Sequence, residues 1–382
     1  MRILALDVGK CKTVSCLLDT DTGEVAYETT LTSPCNLNQL FAERRPNRVV
    51  LEVGPMAGWI RDVASASDVK DIQVANPTHE AWRWRNVKRK TDRLDALKLA
   101  QLSAASQLPT VWLPEGNVRQ WRQLIHYRNA LVERRTAIKN NIRSVLDTQG
   151  LTLRAGRCGW TAKSLAGLRL QARPLPGLGM TELWRGILDV EVRALEQVEQ
   201  QVREVESALD ALGAADERVQ LLQTIPGVGP RLSELLVAMI DDPHRFRSGR
   251  QVSSYFGLVP RQHQSGQMDR QGHITRQGCR LARKLLVEVA WVSLRYNPHL
   301  RQVYQRVHGA SRTRRKIAIV AVARHLAVIG WAMMRDRTAW RSPAAPQTEA
   351  ETPAEPPSLA VRPPRPRAKL ARKRTATTTA RN

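Results

Sequence analysis

The chain of 382 residues exceeds what one hydrophobic core usually organises, and its 60 Lys and Arg against 35 Asp and Glu give a formal net charge of +25. The positive excess persists when the last 41 residues are left out, which excludes a basic tail as its sole source and indicates a polyanionic partner, with nucleic acid as the first candidate. Five cysteines at irregular spacings, with no CxxC pair and no secretory leader before them, argue against a disulfide framework.

Residues 1–112 are predicted to form an α/β domain. The short apolar blocks RILALDV, TVSCLL, EVAYETTL and RVVLEV predict strands, and DTDTGE predicts a hairpin turn between the second and the third. After Glu52 the pattern changes to helical segments, with one further strand-like block and then the helical TDRLDALKLAQLSAAS. Strands that alternate with helices in this way are typical of an α/β layout.

Four carboxylates in this domain form a candidate metal site. Asp7 lies at the end of the first predicted strand and Glu52 at the end of a later one, while Asp92 and Asp95 lie three apart in a helix that Thr91 or Asp92 is placed to begin. At that spacing the two aspartates share one helix face, where their repulsion requires compensation. Oxygen donors with no nearby His or Cys suit Mg²⁺ or Mn²⁺. Each residue alone has an ordinary structural explanation, and only their joint order indicates a site.

Residues 113–215 are predicted to be a helical linker. Apolar residues recur there at alternating spacings of three and four, which is typical of a coiled-coil seam: Leu195, Val198, Val202, Val205, Leu209 and Leu212. Such a seam needs a covering helix from this chain or another, so the region is also a candidate dimerisation stalk. The first half of this region is rich in arginine, which has two open interpretations. The arginines form a face that is exposed to solvent, or they contact nucleic acid.

Residues 216–341 are predicted to form a mainly α domain. In LLQTIPGVGPRLSELLVAMI, two glycines in a tight turn between apolar segments are typical of a helix-hairpin-helix element, in which the amides of Gly227 and Gly229 bind a DNA phosphate. An ordinary Gly-Pro helix connection is the alternative. The apolar stretch IAIVAVARHLAVIGWAMM carries Arg324 and His325 at its middle, which predicts a buried core helix and no membrane span.

A polar segment further along the chain, FGLVPRQHQSGQMDRQGHITRQGCR, contains Ser265. Four arginines around it suit a phosphate: Arg261, Arg270, Arg276 and Arg280. A serine beside a glycine in a polar loop is ordinarily a turn residue, so the chemistry alone leaves turn residue and nucleophile as alternatives. Residues 342–382 hold eight prolines and no aromatic residue, which predicts a disordered basic tail.

Taken together, LALDVGK, VVLEVG, KTDRLDALKLA, IPGVGPRLSELL and FGLVPRQHQSGQMDRQGHITRQGCRLAR resemble the DEDD transposases of bacterial insertion sequences, the IS-one-ten family. The order of strand Asp, strand Glu and helical Asp pair resembles the RuvC-like branch of the RNase H superfamily. The resemblance implies an RNase H-like (RuvC-like) N-terminal domain joined by a coiled coil to a C-terminal transposase domain.

The resemblance also implies a mechanism and partners. The four carboxylates would bind Mg²⁺, and Ser265 would attack a DNA phosphate to form a covalent phosphoserine, whereas Ser253 and Ser254 fall outside the matching position. The partners would be donor and target DNA and a noncoding bridge RNA that pairs with both. The protein would be a homo-oligomer, a dimer or tetramer whose sites combine different protomers, in the bacterial cytoplasm with the nucleoid.

Two rival functions and one departure stay open. A RuvC-type junction endonuclease would use a metal-activated water and need no serine. A non-catalytic basic scaffold would bind nucleic acid without any of the carboxylates. The stretch WRWRNVKRK before Thr91 departs from the family pattern and has two interpretations, nucleic-acid contact and ordinary packing.

Overall fold

The computed structural model describes residues 1–76, 91–265 and 268–342, with the backbone alone described at residues 263, 265 and 268–271. Residues 1–341 form one compact unit. The stretch WRWRNVKRK, the glycine after Ser265 and the predicted tail from residue 343 onward lie outside the described residues.

A five-stranded mixed sheet forms the N-terminal part of the chain. Its strands are β1 (Arg2–Val8), β2 (Lys12–Asp19), β3 (Val25–Leu31), β4 (Arg48–Glu52) and β5 (Asp71–Ala75), in the order β3-β2-β1-β4-β5. The first three strands pair antiparallel, and β1, β4 and β5 run parallel. The α/β layout and the hairpin turn predicted from the sequence are confirmed.

Helices cover both faces of the sheet. One face packs against α1 (Pro34–Arg44) and α2 (Ala57–Ala66), and the other packs against α3 (Asp92–Ala104). Successive residues of β1 alternate between the two cores: Leu4 and Leu6 face α1 and α2, whereas Ile3 and Ala5 face α3. The odd-numbered residues of β1 therefore face α3.

Two long antiparallel helices follow, α4 (Gly116–Thr148) and α6 (Leu183–Ala215), with the short α5 (Ala162–Gln171) between them. Ion pairs fix their direction, because Arg128 contacts Glu206 and Lys139 Nζ lies 3.0 Å from Glu199 Oε1. The helix that covers α6 thus lies in the same chain. Leu212 was wrongly assigned to the seam: it is 46% exposed, because the buried stripe of α6 passes from Leu209 to Gly213.

The C-terminal part is mainly helical. Its elements are α7 (Glu217–Gln223), α8 (Pro230–Ile240), α9 (Gly249–Tyr255), β6 (Pro260–Ser265), β7 (Met268–Ile274), α10 (Arg280–Tyr296), α11 (Pro298–His308) and α12 (Arg315–Asp336). The polar segment around Ser265, interpreted as a loop, is an antiparallel hairpin. Its strands lack the alternation of apolar and polar residues that marks a half-buried strand, so no sequence pattern predicted them.

The helical segment Arg312–Asp336 is long and apolar enough to cross a membrane by length and composition. Its apolar residues, including Val322, Leu326 and Trp331, belong to the largest hydrophobic core among the described residues. This placement agrees with the core helix predicted from the sequence.

A buried carboxylate lies where α8 meets α4 and α6. Glu234 is 1% exposed; its Oε2 lies 3.1 Å from Arg231 Nη1, and its Oε1 has no hydrogen-bond partner among the described residues. Burial raises the pKa of Glu234 from 4.5 to about 7. The folded state holds the proton of Glu234 more tightly than the unfolded chain does. Protonation of Glu234 therefore contributes to the free energy of unfolding, and this contribution is full below pH 4.5 and is lost as pH rises through 7.

Replacing Glu234 by Gln is therefore expected to remove a pH dependence of stability. At pH 8 the variant should be more stable than the wild type by up to about 3 kcal/mol, and at pH 5 the two should differ little. Urea unfolding at both pH values measures this. Glu217→Gln, at an exposed carboxylate of α7, is the control. A Glu234→Gln variant with no advantage at pH 8 would contradict the shifted pKa.

Candidate functional site

The register of the sheet places Asp7 beside Glu52. Strands β1 and β4 are parallel, with Leu6 opposite Leu51, so the next residue on each strand is Asp7 and Glu52. Adjacent strands lie about 4.8 Å apart. Both carboxylates are half-buried at the carboxyl end of their strands.

Both side chains also belong to the α3 face of the sheet. Ala5 and Val50 pack in the core that α3 covers, and Asp7 and Glu52 follow them by two residues. Since side chains two apart in a strand share a face, the two carboxylates face the α3 side.

The direction of α3 brings its first turn to the same edge. Arg48, at the start of β4, donates from Nη1 to the carbonyl oxygen of Ser103, 3.2 Å away near the end of α3. From Ser103 back to Asp95 a helix rises about 12 Å, and from Arg48 to Glu52 a strand rises about 13 Å. Asp95 therefore lies at the level of Glu52.

The first turn of α3 forms as the sequence predicts. Thr91 is its N-cap and accepts a hydrogen bond at Oγ1 from the amide of Leu94, 3.3 Å away. Asp92 is exposed and Asp95 half-buried. Burial lowers the pKa of Lys98, one turn further on, and the nearby Asp95 charge partly opposes that shift. Part of the positive charge that compensates the aspartate pair thus comes from Lys98, which the sequence analysis did not single out.

The sheet register and the direction of α3 bring Asp7, Glu52 and Asp95 to the same end of the sheet, but the carboxylates form no closed ligand set. Within the described ranges, no three His, Cys, Asp or Glu side chains are gathered closely enough to hold a metal ion. The donors themselves are all carboxylate oxygens, which fit a hard divalent cation.

Ser265 lies on a different element, the β6–β7 hairpin. Its backbone ends β6 and pairs with Met268, the first residue of β7. Arg261, Arg276 and Arg280 are exposed around this hairpin, while the side chain of Arg270 lies outside the description. The competing Ser253 is buried and donates to the Gly249 carbonyl oxygen at 2.8 Å, so its hydroxyl is occupied within α9.

The base of the hairpin is locked against the start of α10. Arg283 donates from Nη1 to the carbonyl oxygens of Phe256, Gln277 and Gly278. No sequence pattern pointed to Arg283, because its partners are backbone atoms. Beside it, burial disfavours the Cys279 thiolate, but hydrogen bonds from His126 and from α10 amides outweigh burial and lower the Cys279 pKa.

Gly278 is expected to be irreplaceable at this base. Its φ is +70°, and a Cβ there would overlap the Tyr255 carbonyl oxygen. Gly278→Ala should cost about 2–5 kcal/mol of unfolding free energy, since it adds left-handed strain to overpacking. Thermal or urea unfolding measures the loss. Gly167→Ala, at a helical glycine with open space around it, is the control. A Gly278→Ala variant as stable as that control would contradict the geometry.

The predicted phosphate-binding glycines lie in the turn between α7 and α8. Gly227 has φ +92°, and a Cβ there would lie 2.8 Å from the Cα of Ser293, so close packing against α10 accounts for this glycine. Gly229 is exposed, has open space around it and is the N-cap of α8. Packing thus explains Gly227 without any ligand, and Gly229 is the better placed of the two to approach one.

Two family models match the chain. Residues 4–149, which include all four carboxylates, match a model of DEDD transposases of the IS110 type, described as "Transposase". Residues 219–305, which include Ser265, match the model described as "Transposase IS116/IS110/IS902 family".

Curated proteins similar to the chain carry related descriptions. The transposase for insertion sequence element IS1111A of Coxiella burnetii is 28% identical over 89% of this chain and 92% of its own length. A probable family 20 transposase of Pseudomonas aeruginosa is 31% identical over 66% of this chain and 75% of its own length. A pilin gene-inverting protein of Moraxella lacunata is 24% identical over 69% of this chain and 72% of its own length.

Proposed function

Because the chain belongs to the IS110 family of DEDD transposases, and so is a DNA transposase or recombinase, we propose that it cuts and rejoins DNA strands at an insertion element with two cooperating groups. The first group is the carboxylate set Asp7, Glu52, Asp92 and Asp95, and the second is Ser265. The observation that supports this most is the register that puts Asp7 beside Glu52, on the sheet face that α3 covers.

The carboxylates would hold Mg²⁺ or Mn²⁺. DEDD transposases use divalent metal ions, and an all-oxygen donor set suits these two. When bound, the ion supplies polarisation of a phosphate oxygen and neutralisation of its charge. The protein's own part is to position the donors: the sheet fixes Asp7 and Glu52, and the capped first turn of α3 fixes Asp92 and Asp95.

Ser265 would be the nucleophile. Its Oγ forms a bond to the DNA phosphorus while the bond from phosphorus to the leaving strand's oxygen breaks, the serine proton is released, and the leaving oxygen gains a proton. Attack by a hydroxyl of another strand reverses this step and rejoins the DNA. Arg261, Arg270, Arg276 and Arg280 would bind phosphates near the phosphoserine.

The proposed domain organisation follows the sequence boundaries: 1–112 RuvC-like, 113–215 coiled-coil linker, 216–341 transposase domain and 342–382 basic tail. Supporting the linker, α4 and α6 pack along an antiparallel apolar stripe. In the third region, α7, the turn and α8 would act as a helix-hairpin-helix element, with the amides of Gly227 and Gly229 near a DNA phosphate.

Further partners are part of the same proposal. Donor and target DNA would be chosen by pairing with a noncoding bridge RNA, and a homodimer or tetramer would share composite sites. The protein would act in the bacterial cytoplasm at the nucleoid, and the net charge of +25 favours all of these polyanions.

A strand-transfer assay tests the function. Protein purified from cells that carry its insertion element, with accompanying RNA, is incubated with donor and target plasmids and a divalent cation. Joined donor–target strands are expected. Free 5′-phosphate ends without joining would favour a RuvC-type junction endonuclease, and binding with no cleavage at all would favour a non-catalytic scaffold.

A further inference from the structure

The C-terminal helices carry an unbalanced positive charge. Between Glu288 and Asp336 the chain holds nine Lys or Arg and no Asp or Glu. Within the described part of the chain, Arg335 is the only one of these nine in an ion pair, with Asp336. Burial lowers the pKa of His325 in this span, and neighbouring cations such as Arg324 lower it further. The exposed surface of the helices in this span, α10, α11 and α12, therefore attracts polyanions.

Aromatic rings contact one another on the same surface. The Trp291 and Tyr304 ring centroids lie 6.0 Å apart, and Tyr304 stacks on His308 at 5.2 Å with an interplanar angle of 17°. The guanidinium carbon of Arg315 lies 5.0 Å from the centroid of the Trp291 ring. Three rings and one guanidinium thus form a continuous row of contacts from the start of α12 across α10 to α11, in which Tyr304 and His308 are stacked and Trp291 is tilted against Tyr304.

Further exposed side chains of the same chemistry lie on α10. Trp291 is 36% exposed and Tyr296 is 62% exposed, and Arg295 lies between them on that helix. Packing of α10 on α11 explains the buried side of Trp291 but not the exposure of Tyr296. We name this surface the aromatic–basic strip: Trp291, Arg295, Tyr296, Tyr304, His308 and Arg315.

Hydrogen bonds join the end of α10 to the start of α11 and fix the residues of the strip on these two helices relative to one another. Arg301 donates from Nε to the carbonyl oxygen of Leu294 at 2.8 Å and from Nη2 to that of Arg295 at 3.0 Å. Asn297 caps α11 through the amide of Leu300, 3.2 Å away. A ligand therefore meets rings that are already positioned, which reduces the entropy lost on binding.

We propose that the aromatic–basic strip binds single-stranded DNA. Unpaired bases present free faces that stack on aromatic rings, and arginines between the rings pair with the phosphates that link those bases. A duplex hides its base faces and offers the strip only phosphates. This inference rests on the proposed function for its choice of ligand, since strand exchange exposes unpaired DNA.

Fluorescence anisotropy on the full chain tests the strip. A labelled single-stranded DNA oligonucleotide and its duplex are titrated in EDTA, so that binding is measured without cleavage. Trp291→Ala is expected to weaken single-strand binding about ten-fold and to leave duplex binding within about two-fold. Trp291→Phe keeps a ring and should retain most of the affinity. Arg315→Gln, at an exposed side chain, should reduce the salt dependence of binding.

The control is Tyr127→Ala, which removes an aromatic residue that is 50% exposed on α4, and it should bind like the wild type. Unchanged single-strand binding in both Trp291→Ala and Arg315→Gln would overturn the proposal, as would equal losses for single strand and duplex. A matching RNA strand bound more tightly than DNA through Trp291 would also overturn it. Because nothing is cleaved, failure here is distinguishable from failure of strand transfer.

Discussion

Replacing Ser265 by Ala is expected to abolish covalent protein–DNA linkage and to reduce strand joining by at least about a thousand-fold. The substitution removes the oxygen that would form the phosphoserine and changes little else in size. DNA binding should persist, because the arginines around the β6–β7 hairpin remain. Denaturing gel electrophoresis of labelled DNA separates linked from free strands and measures both effects.

Ser254→Ala is the matched control for this experiment. Ser254 is an exposed hydroxyl on α9, before the hairpin, and its replacement should leave adducts and joining intact. If adducts persisted in Ser265→Ala but vanished in Ser254→Ala, the nucleophile would be assigned to the wrong serine.

Replacing Asp7 by Asn is expected to reduce strand joining about a thousand-fold or more, with DNA binding retained. The amide keeps the size of the side chain but removes one negative charge from the carboxylate edge, and a lost metal contribution of several kcal/mol corresponds to that factor. Joining is measured by quantifying recombinant plasmids over a range of Mg²⁺ concentrations. High Mg²⁺ should restore part of the activity if the defect is weaker binding of the cation.

Asp68→Asn provides the control for charge. Asp68 is an exposed turn residue with φ +63°, a conformation that Asn adopts readily. Its replacement by Asn should therefore leave the rate of strand joining unchanged. An Asp7→Asn variant that joins strands at more than about a tenth of the wild-type rate would contradict a metal-binding role for Asp7.

The sequence predicted the elements that carry the four carboxylates, because local rules decide where these strands and α3 form. Strand alternation and strand ends placed Asp7 and Glu52, and a threonine before an aspartate pair predicted where α3 begins. The sequence did not predict that α3 packs across β1 and β2 with its C-terminal end beside the start of β4. That packing brings together Arg48 and Ser103, which are 55 residues apart.

The C-terminal part was harder to predict because its features depend on tertiary contacts. The hairpin that carries Ser265 consists mostly of polar residues, so its strands lack the alternation of apolar and polar residues from which a strand is predicted. Arg283 locks the hairpin through backbone carbonyls, which leave no sequence signature. The aromatic–basic strip combines three helices, and only packing shows that Arg315 lies on Trp291.

The serine mechanism is tested most directly by identifying the amino acid that becomes linked to DNA. The wild-type protein is trapped during reaction with its DNA substrate, the DNA is digested to single nucleotides, and the peptides are analysed by mass spectrometry. A nucleotide phosphate attached to Ser265, absent from the Asp7→Asn variant, is the predicted result. Cleaved DNA with free 5′-phosphates and no modified serine would exclude Ser265 as the nucleophile and favour hydrolysis by water.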